Sequence, residues 1–366
     1  MTAVTQQDSM GKKLLRSGWR SALLCHAVVS TLCRRRSDEP RVFYGGARKG
    51  NLGGPLVKVK RLQQYFAQNW WNYNLVYALS NAPYLSASAL DWLRYRRVPV
   101  VLNQNGVFYQ GWYGGDWQRQ NAIMAEAYHR ANHVFWQSEF CRRAADRFLG
   151  VRSGPGEILF NAVDIEHFSP ALANEKRSFT FLVTGKIGAH IGYRLESTIA
   201  GLAGARRAGL DARLVFAGWI EDRIDTLAMI ERHGVMKHVV LLGPYTQEEA
   251  PSIYRASDAY VITKYLDPCP NTVIEAMACG LPVLYSSSGG VPELVGDEAG
   301  VGLPVPEDWE TIQVPSAEAI AEGMICIATG RKAMSLAARE RAISKFDLRT
   351  WINRHHVIFS ALLEST

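Results

Sequence analysis

The chain has 366 residues, 48% hydrophobic and 20% charged, a length that suits two domains better than one simple core. Its formal net charge is +7, but residues 1–61 carry 13 lysines and arginines against three acidic residues. This asymmetry excludes a nucleic-acid enzyme with one broad basic face and indicates a basic surface near the N-terminus. The six cysteines show no metal-ligand spacing, which favours reduced thiols in a cytoplasmic protein.

Residues 1–40 precede the first predicted strand. Basic residues at 12–20 are mixed with apolar ones, and an apolar run of about twelve residues follows, short of the ~20 that span a bilayer. Three arginines, rather than a small-residue cleavage site, come next, which argues against a secretory signal. Two interpretations stay open: a basic helix within 12–36 that contacts a membrane surface peripherally, or an extension without fixed structure.

From residue 41 the chain alternates strands and helices, and its strand segments are apolar throughout, as strands covered on both faces are. The first predicted domain spans 41–170. Its parallel strands are predicted at 41–46, 73–79, 98–103, 132–138 and 156–163.

The second predicted domain spans 171–346 and repeats the scheme. Its strands are predicted at 179–185, 212–218, 238–244, 258–264 and 281–287, with helices near 194–208, 222–234, 246–256 and 271–279. Residues 347–366 hold a last helix, with His355 and His356 predicted as a surface pair. The fold class is α/β, with two Rossmann-like domains.

The segment 267–293, DPCPNTVIEAMACGLPVLYSSSGGVPE, carries the strongest functional signal. Asn271 can cap a helix that ends at Gly280, and a buried strand and a second helix start, after Gly290, follow. Free N–H groups at two helix N-termini favour an anion. Glu275 can accept hydrogen bonds from a diol such as ribose, although a glutamate there also suits a capping role.

This segment resembles the donor-binding segment of retaining family 4 glycosyltransferases, the glycogen-synthase-like group with a GT-B fold. In that family two acids with seven residues between them precede an EAMACGxPV unit and a GGxxE turn; Asp267 stands where the first acid is usually Glu. NHVFWQSEFCRRAADRF and FNAVDIEHFSP, within 131–170, resemble the family too, with Ala162 for the usual Gly. The resemblance covers about 41–362 and implies domains that face each other across a cleft, with the last helix returning to the first domain.

The resemblance also implies a nucleotide-sugar donor, a UDP- or GDP-sugar, with no cofactor and no metal. Asp267, Lys186 and Arg194 are the predicted catalytic residues: Asp267 contacts a donor-sugar hydroxyl, and the two cations bind the diphosphate. Arg194 fits its place only if the preceding loop is longer than usual. Glu275 is expected to hold the ribose. Further donor-binding residues are predicted at Gly185, Pro270, Asn271, Thr272, Tyr245, Gly45 and Gly46.

On the acceptor side the predicted residues are Asn105 and Lys49. Asn105 stands where the family commonly has a histidine; an amide can bond a hydroxyl but cannot act as a base. Lys49 and Arg48 lie in a glycine-rich loop and could meet an anionic acceptor. Trp219 follows a strand where the family holds the nucleobase, but packing between helices is the interpretation slightly favoured for it.

The sequence therefore predicts a retaining, metal-independent glycosyltransferase that acts on a glycan or lipid-linked acceptor in surface polysaccharide or glycolipid synthesis. The alternative is a GT-B protein that binds nucleotide sugar but has weak transfer, because Asp267 and Asn105 depart from the family. A nicotinamide dehydrogenase is set aside, since GARKGNLGG lacks GxGxxG spacing. The chain contains no DxD pair to hold a cation, and no nucleic-acid partner is expected. The expected location is cytoplasmic, with peripheral membrane contact.

Overall fold

The computed structural model describes residues 10–32, 37–47, 49–50, 54–171 and 178–365, without the side chains of 10–16 and 54–55. The described chain forms two compact units. The C-terminal unit is Asn161–Leu348, and the N-terminal unit contains the described residues before it together with those from Arg349 onward. Arg48 and residues 172–177, next to the predicted domain boundary, lie outside the described residues.

Each unit is built on one parallel sheet. The N-terminal sheet has the order β1-β2-β3-β4-β5, and the C-terminal sheet has the order β11-β10-β9-β6-β7-β8. The strands are β1 (Val42–Phe43), β2 (Leu75–Leu79), β3 (Val100–Gln104), β4 (His133–Trp136), β5 (Gly156–Ile158), β6 (Phe179–Thr184), β7 (Ala212–Ala217), β8 (Val239–Gly243), β9 (Ala259–Ile262), β10 (Val283–Ser287) and β11 (Gly300–Pro304).

The α-helices precede, connect and follow these strands. They are α1 (Met10–Leu32), α2 (Gly54–Gln63), α3 (Ala87–Tyr95), α4 (Trp117–Arg130), α5 (Glu139–Leu149), α6 (Tyr193–Arg207), α7 (Arg223–Arg232), α8 (Ala250–Arg255), α9 (Asn271–Ala278), α10 (Val291–Val295), α11 (Ala317–Phe346) and α12 (Leu348–Glu364). Every residue of β2, β3 and β4 is buried, which explains why these strands read as continuous apolar runs. The α/β fold class is confirmed, as are all ten predicted strands.

Helix α1 packs into the N-terminal unit. Ala27 is fully buried, and the indole Nε1 of Trp92 in α3 donates to the hydroxyl of Thr31 at 2.9 Å. Arg20 forms an ion pair with Glu126 of α4. Much of the predicted N-terminal extension is therefore an ordinary packed helix. Among the described residues, no helix is both long and apolar enough to cross a membrane.

Helix α12 belongs to the same unit, where it lies against the N-terminal sheet. His355 is 0% exposed, and its ring centroid lies 4.7 Å from that of Phe135 in β4 and 4.0 Å from that of Trp351. Its Nε2 is 3.2 Å from the hydroxyl of Tyr77. The prediction of a surface pair is wrong for His355, because this face of α12 covers the sheet; His356 is exposed as expected.

Candidate functional site

The order of the C-terminal sheet reverses between β6 and β9. From β6 the chain adds β7 and β8 on one side, and it then returns to place β9, β10 and β11 on the other side. In open α/β sheets such a reversal leaves a crevice beyond the carboxyl ends of the two strands, where ligands bind. The residues directly after β6 and β9 are therefore the first candidates for a site.

The loops after β6 and β7 meet backbone to backbone. Gly185 follows β6 with a φ of +112°, and Gly218 follows β7 with a φ of +135°. A Cβ on Gly218 would lie 2.0 Å from the carbonyl oxygen of Gly185, so only glycine fits there. This approach leaves Lys186 exposed, with its ammonium 4.5 Å from the ring centroid of Trp219. The indole is 40% exposed, so Trp219 lines the edge of the sheet.

Asp267, in the loop after β9, is held in one position by its neighbours. Its Oδ2 pairs with the ammonium of Lys264 at 2.7 Å, and its Oδ1 accepts from the backbone N–H of Cys269 at 3.2 Å. Its carbonyl oxygen accepts from the N–H of Gly290 at 2.9 Å, and a Cβ on Gly289 would lie 2.5 Å from that oxygen. The carboxylate is thus fixed by an ion pair with Lys264 that the sequence did not predict.

Glu275 lies in α9 and is 3% exposed. Its Oε2 accepts from the hydroxyl of Tyr254 at 3.2 Å, and the Tyr254 and Tyr260 hydroxyls lie 3.5 and 3.0 Å from that of Thr184. Burial, followed by the charges of Tyr260 and Glu275, raises the pKa of Tyr245, so this phenol stays protonated at neutral pH. Glu275 therefore lies among buried tyrosine and threonine hydroxyl groups, which stay neutral at pH 7.

The N-terminus of α9 differs in detail from the sequence prediction. Pro270 is the N-cap residue, without a side-chain capping bond, and Asn271 is the first helical residue. The expected cap by Asn271 is wrong; its side-chain Oδ1 is buried without a hydrogen-bond partner. Burial raises the pKa of Tyr260, and the nearby Thr272 side chain offsets part of that rise. The first N–H groups of α9 are consequently not satisfied by a side-chain cap, the condition that favours an anion.

Arg194 lies in the first turn of α6 and is only 4% exposed. Its Nε atom is buried without a hydrogen-bond partner. Burial raises the pKa of Tyr260, and the charge of Arg194 partly offsets that rise. Of the two predicted diphosphate-binding cations, Lys186 is exposed and Arg194 is buried.

The carboxyl edge of the N-terminal sheet carries a chain of neutral amides. Asn105, after β3, donates from Nδ2 to Asn81 Oδ1 at 2.7 Å and accepts from the Nε2 of Gln137, after β4, at 2.5 Å. Gln137 also bonds Asn103 Oδ1 at 3.1 Å, and the buried Lys58 donates to that same oxygen at 2.6 Å. The amide of Asn103 has a buried Nδ2 without a partner.

The predicted glycine pair after β1 lies in the same unit, but under α1. Gly45 and Gly46 are both buried, and a Cβ on Gly46 would lie 2.8 Å from Leu23 and 3.1 Å from the Nε1 of Trp19. Lys49, farther along the loop, is exposed. Within the described ranges, no group of three or more His, Cys, Asp or Glu side chains lies together as metal ligands do.

Two α/β units are each built on one parallel sheet, and the C-terminal one has charged residues and an uncapped helix N-terminus at its switch point. Together they define a doubly wound α/β protein with a crevice that suits an anionic ligand. The family profile described as Glycosyltransferase Family 4 matches residues 4–167, and the profile described as Glycosyl transferases group 1 matches residues 166–341. The chain belongs to the glycosyltransferase family that these two profiles describe. The resemblance seen in the sequence is thereby confirmed.

Individual relatives match shorter stretches. The D-inositol 3-phosphate glycosyltransferase of Mycobacteroides abscessus is 39% identical over 80 residues, 21% of this chain and 18% of the relative. The protein of the same name from Mycolicibacterium smegmatis is 29% identical over 151 residues, 38% of this chain and 34% of the relative. The matched stretches thus span well under half of these relatives.

Among solved structures, HepE from Anabaena in complex with UDP superposes with a TM-score of 0.64 at 20% identity. The match covers 84% of this chain and 82% of HepE. HepE has also been solved with UDP-glucose. At this identity the likeness concerns the fold, which is that of the GT-B glycosyltransferases.

Proposed function

We propose that the protein is a retaining glycosyltransferase that transfers a sugar from a UDP- or GDP-sugar to a hydroxyl of a glycan or lipid-linked acceptor, without a metal ion. The observation that carries this proposal is the switch point of the C-terminal sheet. There Lys186 follows β6, Asp267 lies in the loop after β9, and the buried Glu275 lies in α9, whose N-terminus has no side-chain cap. Membership in the glycosyltransferase family supports the same conclusion.

The chemistry follows from these groups. Departure of a nucleoside diphosphate develops negative charge, which Lys186 and the N–H groups of α9 stabilise electrostatically. Glu275 accepts hydrogen bonds from the ribose hydroxyls, and the fixed carboxylate of Asp267 accepts one from the donor sugar. That HepE is solved with UDP and with UDP-glucose supports a uridine nucleotide as the first donor to test.

The acceptor is proposed to bind at the amide edge of the N-terminal sheet. Asn81, Asn105 and Gln137 offer amide donors and acceptors of the kind that recognise sugar hydroxyls. Because an amide cannot act as a general base at neutral pH, these three residues orient the acceptor and do not deprotonate it.

We also propose that the N-terminal unit contacts anionic lipid through α1 and the neighbouring Trp70–Trp71 pair. His26 of α1 packs against both indoles, with ring centroids 5.6 and 5.2 Å apart, and the indoles are 44% and 64% exposed. Exposed tryptophans beside the most basic part of the sequence suit a membrane interface. The expected location is the cytoplasmic face of a membrane.

The membrane contact is tested by co-sedimentation with vesicles of phosphatidylserine and phosphatidylcholine, and with phosphatidylcholine alone. Wild type is expected on the anionic vesicles only, and Trp70→Ala with Trp71→Ala is expected to release it. Trp112→Ala is the matched control, since Trp112 is 40% exposed but lies in another loop. Wild type that stays in the supernatant with both vesicle types would exclude the contact.

The transferase itself is tested by incubating the purified protein with a panel of UDP- and GDP-sugars and simple glycans. The readouts are released nucleoside diphosphate and the anomeric configuration of the product by NMR. Transfer with retention is expected for one donor. Binding of a nucleotide sugar without turnover would favour the alternative, a weakened binding protein, and inversion would exclude the retaining mechanism.

A further inference from the structure

Lys264 occupies a special place in the C-terminal unit. Strands β6 and β9 are adjacent and parallel, with Phe181 opposite Ala259 and Leu182 opposite Tyr260. Lys186 and Lys264 each lie two residues beyond the end of their strand, β6 ending at Thr184 and β9 at Ile262. Neighbouring strands lie about 4.8 Å apart, so both lysines belong to the carboxyl end of this strand pair, where the switch-point crevice opens.

Two lysines and two carboxylates lie at this point, but only one ion pair joins them in the described chain. Lys186 makes no ion pair within the part of the chain that the structure describes, and Lys264 has Asp267 as its partner. Glu221, the other carboxylate near this loop, accepts from the N–H of Ala189 at 2.6 Å. Burial lowers the pKa of the adjacent His190, and both lysines lower it further, so the ring is neutral at pH 7. Both lysines therefore act on the loop around His190, and of the two carboxylates only Asp267 pairs with a lysine in the described chain.

We propose that Lys264 is a second contact for the diphosphate of the donor and acts together with Lys186. This inference rests on the proposed function and names a residue that neither the sequence motif nor the family match assigns. Its side chain is 41% exposed and reaches solvent at the crevice, whereas Arg194 is 4% exposed. Lys264 can turn toward an incoming anion while it stays within reach of Asp267, because an ammonium has three donors.

The pairing gives Lys264 a second consequence. In the ligand-free protein its ammonium neutralises Asp267, which otherwise would repel a diphosphate from the crevice. When the diphosphate takes part of that charge, Asp267 keeps its bond from Cys269 and gains acceptor capacity for a sugar hydroxyl. Binding of the diphosphate is therefore coupled to the capacity of the Asp267 carboxylate to accept a hydrogen bond from the donor sugar.

The test uses the full chain and measures the Kd of UDP, UMP and uridine, and in parallel of GDP, GMP and guanosine, by calorimetry. In Lys264→Gln we expect the Kd of the diphosphate to rise by at least about tenfold, the effect of one charge-assisted hydrogen bond. The nucleoside, which lacks phosphate, should bind within about twofold of wild type, and Lys264→Arg should restore most of the loss. Lys237→Gln, an exposed lysine of the same unit, is the control.

Asp267→Asn separates contact from positioning. If Lys264 touches the diphosphate, Lys264→Gln raises the Kd of UDP or GDP in the Asp267→Asn background as well. If it only holds Asp267, the second substitution adds nothing, and the inference is wrong. Wild type that binds UDP or GDP while Lys264→Gln binds it equally well also overturns the inference and leaves the proposed function intact. Wild type that binds neither nucleotide overturns both.

Discussion

The two sheets of this protein differ at their carboxyl edges in both topology and chemistry. The C-terminal sheet reverses its order between β6 and β9, whereas the five described strands of the N-terminal sheet follow one another in sequence order. At the reversal lie Lys186, Lys264 and Asp267; at the other edge lie the neutral amides of Asn105 and Gln137. The edge of the C-terminal sheet therefore suits a charged ligand, and the edge of the N-terminal sheet suits a neutral, polar one.

The difference teaches how one architecture can serve two halves of a reaction. Lysines and a helix N-terminus stabilise developing negative charge, but they discriminate poorly among neutral hydroxyls. Amides do the reverse, because each has donors and acceptors in fixed directions and no net charge. Under the proposed function, substitutions at the charged edge should change donor binding and turnover, and substitutions at the amide edge should change only the acceptor.

The largest effect is expected from Glu275→Gln at the charged edge. The substitution keeps the shape of the side chain but replaces a charged acceptor of ribose hydroxyls with a weaker one. We expect kcat/KM for the donor to fall by about 100-fold, near the upper end for one charge-assisted hydrogen bond. The measurement is initial-rate kinetics with the donor found in the panel above.

The matched control is Glu231→Gln, an exposed glutamate at the end of α7. Its kcat/KM should equal that of wild type. Thermal melting of both variants checks the fold, since the buried Tyr254 hydroxyl can bond to the amide oxygen of a glutamine as well. Normal turnover by folded Glu275→Gln would refute the ribose assignment and would remove the functional contrast between the two edges.

More of the fold than of the candidate site can be predicted from the sequence. Apolar runs located ten strands, because burial on both faces leaves a strong local signal. Strand β11 (GVGLP) escaped notice, since two glycines and a proline hide it. The 30-residue α11 was missed as well: its buried residues lie on shifting faces against α6, α9 and β10, so its sequence has almost no single apolar face.

Side-chain partners were harder to predict, because they depend on residues distant in sequence or on loop geometry. Glu275 meets Tyr254, which is 21 positions away, and His355 meets Tyr77, which is 278 positions away. Lys264 is only three positions from Asp267, but the pair lies in an irregular loop where Leu266 has a φ of +49°. Spacing predicts such a pair on a helix and not in a loop.

Acid gives the next largest effect, on the stability of the N-terminal unit. Burial lowers the pKa of His355 in the N-terminal unit from 6.5 to about 3. Because its folded pKa lies below its unfolded pKa, the unfolded chain binds the extra proton between these values. Stability is therefore complete above about pH 6.5 and falls by up to about 1.4 kcal/mol for each pH unit below it.

The measurement is the free energy of unfolding by denaturant at several pH values between 7.5 and 5. Unfolding is monitored by the near-ultraviolet circular dichroism of the tryptophans. His355→Phe should flatten the acid dependence, even if the loss of the Tyr77 bond lowers stability at every pH. His356→Phe, at the exposed neighbouring position, should leave the dependence as in wild type. The same acid slope in His355→Phe and wild type would show that other groups cause it.

A smaller effect is expected from Asn105→Ala at the amide edge. Loss of one neutral hydrogen bond to the acceptor should raise the acceptor KM by about fivefold, since such a bond contributes about 0.5–1.5 kcal/mol. The donor Kd should not change, because no charge is removed. Asn353→Ala, an exposed asparagine of α12, is the control. An altered donor Kd in Asn105→Ala would contradict the division of tasks between the edges.

The smallest expected effect is that of EDTA, which should leave turnover unchanged. A metal-dependent enzyme neutralises the leaving diphosphate with a cation held by paired carboxylates. Here the carboxylates at the charged edge are already engaged: Asp267 bonds Lys264 and Cys269, and Glu275 bonds Tyr254. The positive charge at this edge comes instead from Lys186, Lys264 and the N-terminus of α9. Each such contact replaces part of what a metal would supply.

Turnover is measured after dialysis against EDTA and again after addition of Mg²⁺ or Mn²⁺. A loss of turnover that either ion restores would show that the lysines alone do not stabilise the leaving group. A bound metal ion would then be part of the charged edge, and the metal-free mechanism would be wrong.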